Sequence, residues 1–175
     1  LGIFVHRVEG LPPGLYALAR DPEKTDFLKS RMNPKFLWRT PPGCPDGLAL
    51  FLLLEEDVRS IATSVSCGQE IAGAGAFSLG MLAEFEPTIQ RYGAHFYRRL
   101  FWETGAIGQV LYLEAEAAQR RSTGIGCFFD DPVHQVFGIT THDLQSLYHF
   151  TVGGHVEDPR LTTLPAYPSL AWSPR

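Results

Sequence analysis

The residues best suited to chemistry are glycines beside polar groups. Gly124-Ile125-Gly126-Cys127 sets two glycines in front of a short apolar run. Because glycine has no side chain, its backbone amide can approach a planar ring or a phosphate closely. The segment therefore predicts either a ligand loop that uses Gly124, Gly126 and Cys127 or a tight turn from a helix into a strand. Cys127 itself is expected to be a small buried hydrophobic residue rather than a reactive thiol.

A second pair of glycines falls inside a predicted helix. Gly105 and Gly108 lie within one turn, and each interior glycine costs about 1 kcal/mol relative to alanine. Such a notch indicates close approach by another helix, by a second subunit or by a flat cofactor. The neighbouring Gln109 is a candidate for a buried amide that bonds either a backbone group or a ring carbonyl.

Two further side chains could act on a ligand. Arg160 follows a proline, and a guanidinium held in an extended segment can bind a phosphate with two hydrogen bonds. The alternative is a surface ion pair with Asp158 or Glu157. Tyr92 precedes Gly93 and could exchange protons, although aromatic packing is the ordinary role of such a tyrosine. The six histidines are scattered without ligand spacing, so no metal site is expected.

Strands and helices alternate around these residues. Residues from about 94 to 119 have apolar side chains at helical spacing and predict one long helix. Asp21 and Asp57 are expected to cap two shorter helices, and Asp131-Pro132 to begin another. Strands are predicted at 3–8, 15–18, 48–54, 76–85, after the Gly124–Gly126 turn, and at 147–152. An α+β fold follows, with a mixed β-sheet flanked by helices.

Composition limits the classes of function. The 175 residues are 45% hydrophobic and 19% charged, as expected of a single globular domain over 1–175. A net charge of −4 argues against nucleic acid as a partner. No apolar run approaches the roughly 20 residues of a membrane span, so no membrane partner is expected. Three widely spaced cysteines imply no disulfide framework and favour a cytoplasmic protein.

Five segments, taken in order, resemble the nitroreductase-like flavin fold and specifically the SagB-type dehydrogenases. They are Val8–Tyr16 (VEGLPPGLY), Arg91–Arg98 (RYGAHFYR), Glu103–Gln109 (ETGAIGQ), Gly124–Gly138 and Leu147–Gly153. The resemblance implies an FMN-dependent oxidoreductase that moves a hydride through flavin N5, either from NAD(P)H or from an azoline-containing peptide. NAD(P)H or a small-molecule substrate is the expected partner. The resemblance also implies a dimer-like interface with a second nitroreductase-like domain or subunit, as a homodimer or a tandem protein.

The resemblance assigns roles to the candidates. The backbone around Gly126 and Cys127 would face the flavin ring, and Arg160 would bind the FMN phosphate. The face of the long helix with Gly105 and Gln109 would pack near the ring or the partner. Azoline-oxidising relatives often have Lys-Tyr where this chain has Arg91-Tyr92. Since arginine cannot give up its proton, Tyr92 is left as the candidate catalytic acid–base.

The same resemblance shows what the sequence lacks. Family members begin with helices that carry an Arg-Arg-Ser-x-Arg element for the FMN phosphate, followed by a Pro-Ser-x-Gly loop, and neither occurs here. We therefore expect the missing half-site to come from a longer or tandem protein. Two other functions stay open: a non-catalytic domain that pairs with or scaffolds a complete flavin domain, and a flavin-binding domain without turnover.

Overall fold

Six strands form one sheet in the computed structural model, which describes residues 1–162 and residue 164. The spatial order is β3-β2-β1-β4-β6-β5. The strands are β1 (Gly2–Val5), β2 (Gly14–Leu18), β3 (Leu50–Leu54), β4 (Phe77–Glu84), β5 (Arg121–Ile125) and β6 (Leu144–Gly153). The α-helices are α1 (Thr25–Arg31), α2 (Arg59–Val65), α3 (Ile71–Ala74), α4 (Glu86–Tyr92), α5 (Tyr97–Ala117) and α6 (Asp130–Phe137).

The α+β class and the long helix are confirmed, but the sheet is not mixed. All five strand pairings are antiparallel. The connection through α5 does return β5 parallel to β4, as a helical crossover should. Strand β6 lies between them and pairs with both in the opposite direction, so no parallel ladder forms.

Helices cover both faces of this sheet. Helix α5 packs on one face over β4, β6 and β5, where Leu79, Met81, Phe150 and Val152 form the core with Ala115. Helices α1, α2 and α6 cover the other face and surround a larger core that includes Phe4, Leu53, Val58, Val133 and Phe137. Alternate residues of each strand therefore enter different cores.

Local signals explain where several helices begin and end. The Asp21 carboxylate accepts the Glu23 N–H at 3.1 Å and begins a short 3-10 turn that leads into α1. The Asp57 carboxylate likewise accepts the Arg59 N–H at 3.1 Å in front of α2. Gly138 ends α6 with a φ of +67°, a left-handed conformation that favours glycine. The caps at Asp21 and Asp57 agree with the sequence prediction.

Helices α4 and α5 and strand β5 differ from the prediction, and the short helix α3 was not predicted. The long helix has 21 residues, about 30 Å, because a separate 3-10 turn occupies 94–96. Helix α4 was not predicted, although Pro87 marks its first turn. Strand β5 comes before Gly126 rather than after it, because residues 121–125 pair with the edge of β6. Among the described residues, no helix combines the length and hydropathy needed to cross a bilayer.

Candidate functional site

The segment from Gly126 to Phe129 leaves the sheet edge and joins β5 to α6. It is tied to the turn between α2 and α3 by a disulfide between Cys127 and Cys67, whose Cα atoms are 5.9 Å apart. Cys127 is exposed. The expectations of a buried, unpaired Cys127 and of no disulfide are therefore wrong. The sequence separation of 60 residues concealed the pair, which only the tertiary fold brings together.

Gly124 has a packing role. A Cβ at this position would lie 1.8 Å from the Tyr148 hydroxyl oxygen, so no other residue fits without rearrangement. The Gly124 N–H donates to the Tyr112 hydroxyl at 2.7 Å. This amide is already satisfied by the protein and is not available to a ligand in this conformation.

Gly126, unlike Gly124, is not packed against another side chain. A Cβ built on it would meet nothing within 4 Å. Within residues 1–162, the N–H groups of Gly126 and Cys127 donate to no protein acceptor. Two adjacent backbone donors without a protein acceptor thus lie beside a residue without a side chain, an arrangement suitable for the polar edge of a planar ligand.

The two glycines of α5 differ in the same way. Gly108 is buried, and a Cβ there would lie 2.9 Å from the Tyr148 ring. Gly105 and Gln109 are exposed on the side of the helix that faces away from the sheet, and a Cβ on Gly105 would meet nothing within 4 Å. The expectation of a buried Gln109 amide is therefore wrong for this chain alone, because one helical face buries Gly108 and exposes its neighbour.

Large apolar side chains surround Gly105 and Gln109. Trp102 and Leu113 are each 62% exposed and Val110 is 55% exposed. We call Trp102, Gly105, Gln109, Val110 and Leu113 the outer face of α5. Apolar patches of this kind usually mark an interaction site.

Tyr92 lies elsewhere, at a cavity of about 360 Å³ between α1, α4, α5 and the sheet. Its ring stacks on Phe96 with centroids 4.6 Å apart, and the Arg91 guanidinium lies 5.0 Å from its centroid. Leu18, Met81, Leu100, Ile107 and Leu144 are among the apolar residues that line the cavity. The other predicted site residues do not line it, so the structure does not bring Tyr92 together with the Gly126 segment.

Two ion pairs flank this cavity. Arg20 binds Glu103 at 2.7 Å, and Lys24 binds Glu84 at 2.8 Å. The pairing raises the pKa of Lys24, chiefly through the hydrogen bond to Glu84. Both pairs are substantially exposed, so each contributes little to stability.

Arg160 forms the local ion pair that was the alternative to phosphate binding. Its guanidinium bonds the Asp158 carboxylate at 2.6 and 2.8 Å, and its side chain is 87% exposed. These bonds lower the pKa of the Asp158 carboxyl group and raise that of Arg160.

Ser146, His149 and His134 form a polar cluster that was not predicted from the sequence. The Ser146 hydroxyl lies 3.0 Å from Nε2 of His149, and His134 Nε2 accepts the Ser146 N–H at 3.2 Å. The Phe128 ring stacks on His149 with centroids 4.3 Å apart, and Gly80 leaves room for the imidazole. Burial lowers the pKa of His149 to about 4. The available signal was Gly80, because a glycine inside a strand often marks the close approach of another group, but it does not identify that group.

The sequence model of the nitroreductase family matches residues 21–154, more than half of the chain. No curated protein matches the sequence.

Several solved structures share the fold. A putative nitroreductase from Anabaena variabilis aligns with a TM-score of 0.65 and 25% identity, over 87% of this chain and 26% of that one. The microcin synthetase McbBCD complex of E. coli, with truncated pro-MccB17 bound, aligns at 0.54 and 24% identity, over 62% of this chain and 41% of that one. A putative nitroreductase from Ralstonia eutropha aligns with a TM-score of 0.50 and 16% identity, over 63% of this chain and 50% of that one.

The chain thus spans about a quarter to a half of the length of these proteins. The family match covers the segment from the Asp21 cap to the end of β6. That segment holds α5, the glycine-containing strand β5 and the loop after it, which are the elements that the motifs pointed to. The chain belongs to the nitroreductase family, whose members are generally FMN-dependent oxidoreductases.

Proposed function

We propose that this chain is one domain of an FMN-dependent oxidoreductase of the SagB-type branch, which transfers a hydride between a nicotinamide donor and an acceptor that the sequence does not identify. The observation that carries the proposal is the pair of free backbone donors at Gly126 and Cys127, in a family that generally uses FMN. The branch assignment rests on the sequence motifs.

The residues present fit part of a flavin site. The Gly126 and Cys127 N–H groups would donate to the polar edge of the ring, and the open space at Gly126 leaves room for the ring itself. The exposed Gln109 amide would contact the ring or the partner from the outer face of α5. When bound, FMN supplies the hydride chemistry at its N5 atom, while the protein supplies orientation and backbone dipoles.

The phosphate end of the site is less complete. Arg160 would have to exchange its Asp158 carboxylate for the phosphate, which an exposed ion pair permits at small cost. Further phosphate contacts are proposed to come from a second nitroreductase-like domain or subunit. The short span of this chain relative to its structural relatives supports that arrangement.

Titration with FMN tests the proposal. Gly126→Val fills the open space beside the free amides and should weaken FMN binding at least tenfold, about 1.4 kcal/mol. Gly154→Val is the matched control, because a Cβ at Gly154 also meets nothing within 4 Å. Absorbance and fluorescence of FMN would be followed, with NAD(P)H oxidation as the activity. Equal affinities of the two variants, or no binding by the unaltered protein within its full assembly, would contradict the proposal.

Tyr92 is proposed as an acid–base residue that would act on a small substrate rather than on the flavin. Its support is its place on the wall of the 360 Å³ cavity, a volume within the range of small-molecule sites. The Gly126 segment does not line this cavity, so a second domain would have to connect the two places.

A non-catalytic pairing domain is the second candidate function. The observation that favours it is the outer face of α5, where Trp102 and Leu113 are each 62% exposed. The pairing function requires only that the outer face of α5 pack against a complete flavin domain. It predicts that the chain associates normally and raises the activity of its partner while its own Gly126→Val variant leaves FMN binding unchanged.

A further inference from the structure

The cysteine pair ties together two parts of the chain that the sheet does not connect. Cys67 lies in the turn after α2, and Cys127 lies in the loop after β5. We propose that Cys67 and Cys127 form a site of reversible thiol–disulfide exchange with a dithiol reductant, and that the oxidised bond clamps residues 126–129 against the α2–α3 turn.

Access to the bond is from the Cys127 side. Cys127 is exposed, whereas Cys67 is less accessible because it is half-buried in the turn. Gly126 precedes Cys127 and leaves open space where a side chain would stand. An incoming thiol can therefore reach the bond without displacing a core residue, in contrast to a structural disulfide enclosed in a core.

The backbone at Cys67 also favours a bond that can open. Its φ of +56° lies in the left-handed region, which a cysteine seldom adopts, and the following Gly68 has a φ of +72°. The surrounding structure must hold Cys67 in this conformation. The disulfide is one such restraint, so its loss should let the turn relax.

The dithiol reductant supplies the two electrons that open the Cys67–Cys127 bond. One thiolate of the reductant attacks Cys127 Sγ, the Cys67–Cys127 bond breaks, and Cys67 leaves as a thiolate that takes up a proton. The second thiol of the reductant then displaces Cys127 from the mixed disulfide. The protein gains two electrons and two protons, and the reductant leaves as a cyclic disulfide.

Within the part of the chain that the structure describes, two hydrogen bonds would then hold the loop to α2 and the turn after it. The Gln69 side-chain amide donates to the Cys127 carbonyl oxygen at 3.0 Å and also to the Ser66 carbonyl oxygen at 2.9 Å. The Phe129 N–H donates to the Val65 carbonyl oxygen at 2.8 Å. Both bonds span the same contact as the disulfide, so breaking the covalent bond should weaken them together.

One consequence rests on the proposed function. If the Gly126 and Cys127 amides bind flavin, the clamp sets the position of both donors, and reduction should weaken FMN binding by about tenfold. The clamp itself does not depend on FMN.

Counting thiols tests the bond. The unfolded, oxidised protein should react with iodoacetamide at one cysteine, Cys44, and the dithiothreitol-treated protein at all three. Cys44→Ser is the matched control and should give no labelled cysteine before reduction and two after it. Re-oxidation should restore the first pattern. Labelling of all three cysteines without reductant, or a bond that dithiothreitol cannot open in the folded protein, would overturn the proposal.

Hydrogen exchange tests the clamp. In the folded protein, reduction should speed exchange of the Phe129 amide by about tenfold, while amides within β4 keep their rates. The Cys67→Ser/Cys127→Ser variant should match the reduced protein. An unchanged Phe129 rate would overturn the clamp. FMN titration of both redox states then separates the two hypotheses. Absence of FMN binding in both the oxidised and the reduced protein contradicts the proposed function and leaves the thiol and exchange results standing.

Discussion

The Tyr148 ring lies against two glycines, Gly108 on α5 and Gly124 on β5, and fills the space that both leave open. Burial raises the pKa of its hydroxyl group. Two other glycines, Gly105 and Gly126, face no protein atom within 4 Å. The same residue type therefore serves packing at two positions and leaves room for a ligand or partner at two others.

His149 should make stability depend on pH. Its pKa is about 4 in the folded protein against 6.5 in the unfolded chain, because burial disfavours the charged ring. The unfolded chain therefore binds the extra proton between these values, and stability falls as pH drops from about 6.5 to 4. The loss should reach about 3 kcal/mol. Urea denaturation of the wild type and of His149→Phe would measure it.

His149→Phe keeps a ring beside Phe128 and removes the titrating group. It should therefore flatten the pH dependence, whatever its effect on stability at pH 8. His6 and His134 also have lowered pKa values through burial and remain in both proteins. Parallel pH curves for the wild type and the variant would contradict the assignment to His149.

Arg160→Ala tests the phosphate contact at the level of one side chain. If Arg160 binds the FMN phosphate, the variant should lose about tenfold to a hundredfold in FMN affinity, as expected of a charge-assisted pair. Riboflavin, which has no phosphate, should bind as before. Isothermal titration with both ligands gives the comparison. Equal losses for both ligands would indicate that the arginine only positions its own segment.

At the scale of elements, α5 has two functional sides. Leu100, Thr104, Gly108 and Ala115 are buried toward the sheet. The outer face carries Trp102, Gly105, Gln109, Val110 and Leu113. Gly108 follows the buried Thr104 by four positions, whereas Gly105 is three positions after the exposed Trp102. The two glycines are therefore divided between the two sides of the helix.

Leucine substitutions should distinguish these sides. Gly108→Leu forces a side chain into the Tyr148 ring and should lower the free energy of unfolding by about 1–3 kcal/mol. Gly105→Leu faces solvent and should be neutral or stabilising by up to about 1 kcal/mol, since leucine is the better helix former. Denaturant unfolding of both variants is the measurement. A destabilised Gly105→Leu would mean that the outer face is already covered within this chain.

Gly105→Leu then reports on function. If FMN binding falls while association survives, the outer face serves the cofactor. If association falls first, the pairing function gains support.

For the whole molecule, one sheet separates a face covered by α5 from a face covered by α1, α2 and α6. The Cys67–Cys127 pair fastens the second layer to the edge of the sheet. The outer face of α5 then remains as the broad apolar surface of the first layer, which suits a second domain.

Charges on this surface should disrupt association. Trp102→Glu combined with Leu113→Glu places two carboxylates where apolar contact is expected, and should weaken self-association or partner binding at least tenfold, about 1.4 kcal/mol. Thermal unfolding of the isolated chain should change little, because both residues are 62% exposed. Sedimentation velocity would measure association. An unchanged assembly state would show that pairing uses another surface.

The sequence by itself determined most of the elements, because their signals are local. The caps at Asp21 and Asp57, the stop at Gly138 and the long helical pattern each depend on neighbours within a few residues. The motif order around Gly105, Gln109 and Gly124 led to the family that the comparisons support.

Only the tertiary structure decided which residues meet. Cys67 and Cys127 are 60 residues apart, and Gly124 faces Tyr148 from the neighbouring strand. The exposure of Gln109 and the separation of Tyr92 from Gly126 could not be predicted from the sequence either. Contacts across the fold depend on strand order and on which helical side faces the sheet, and neither is encoded in the spacing of residues along one segment.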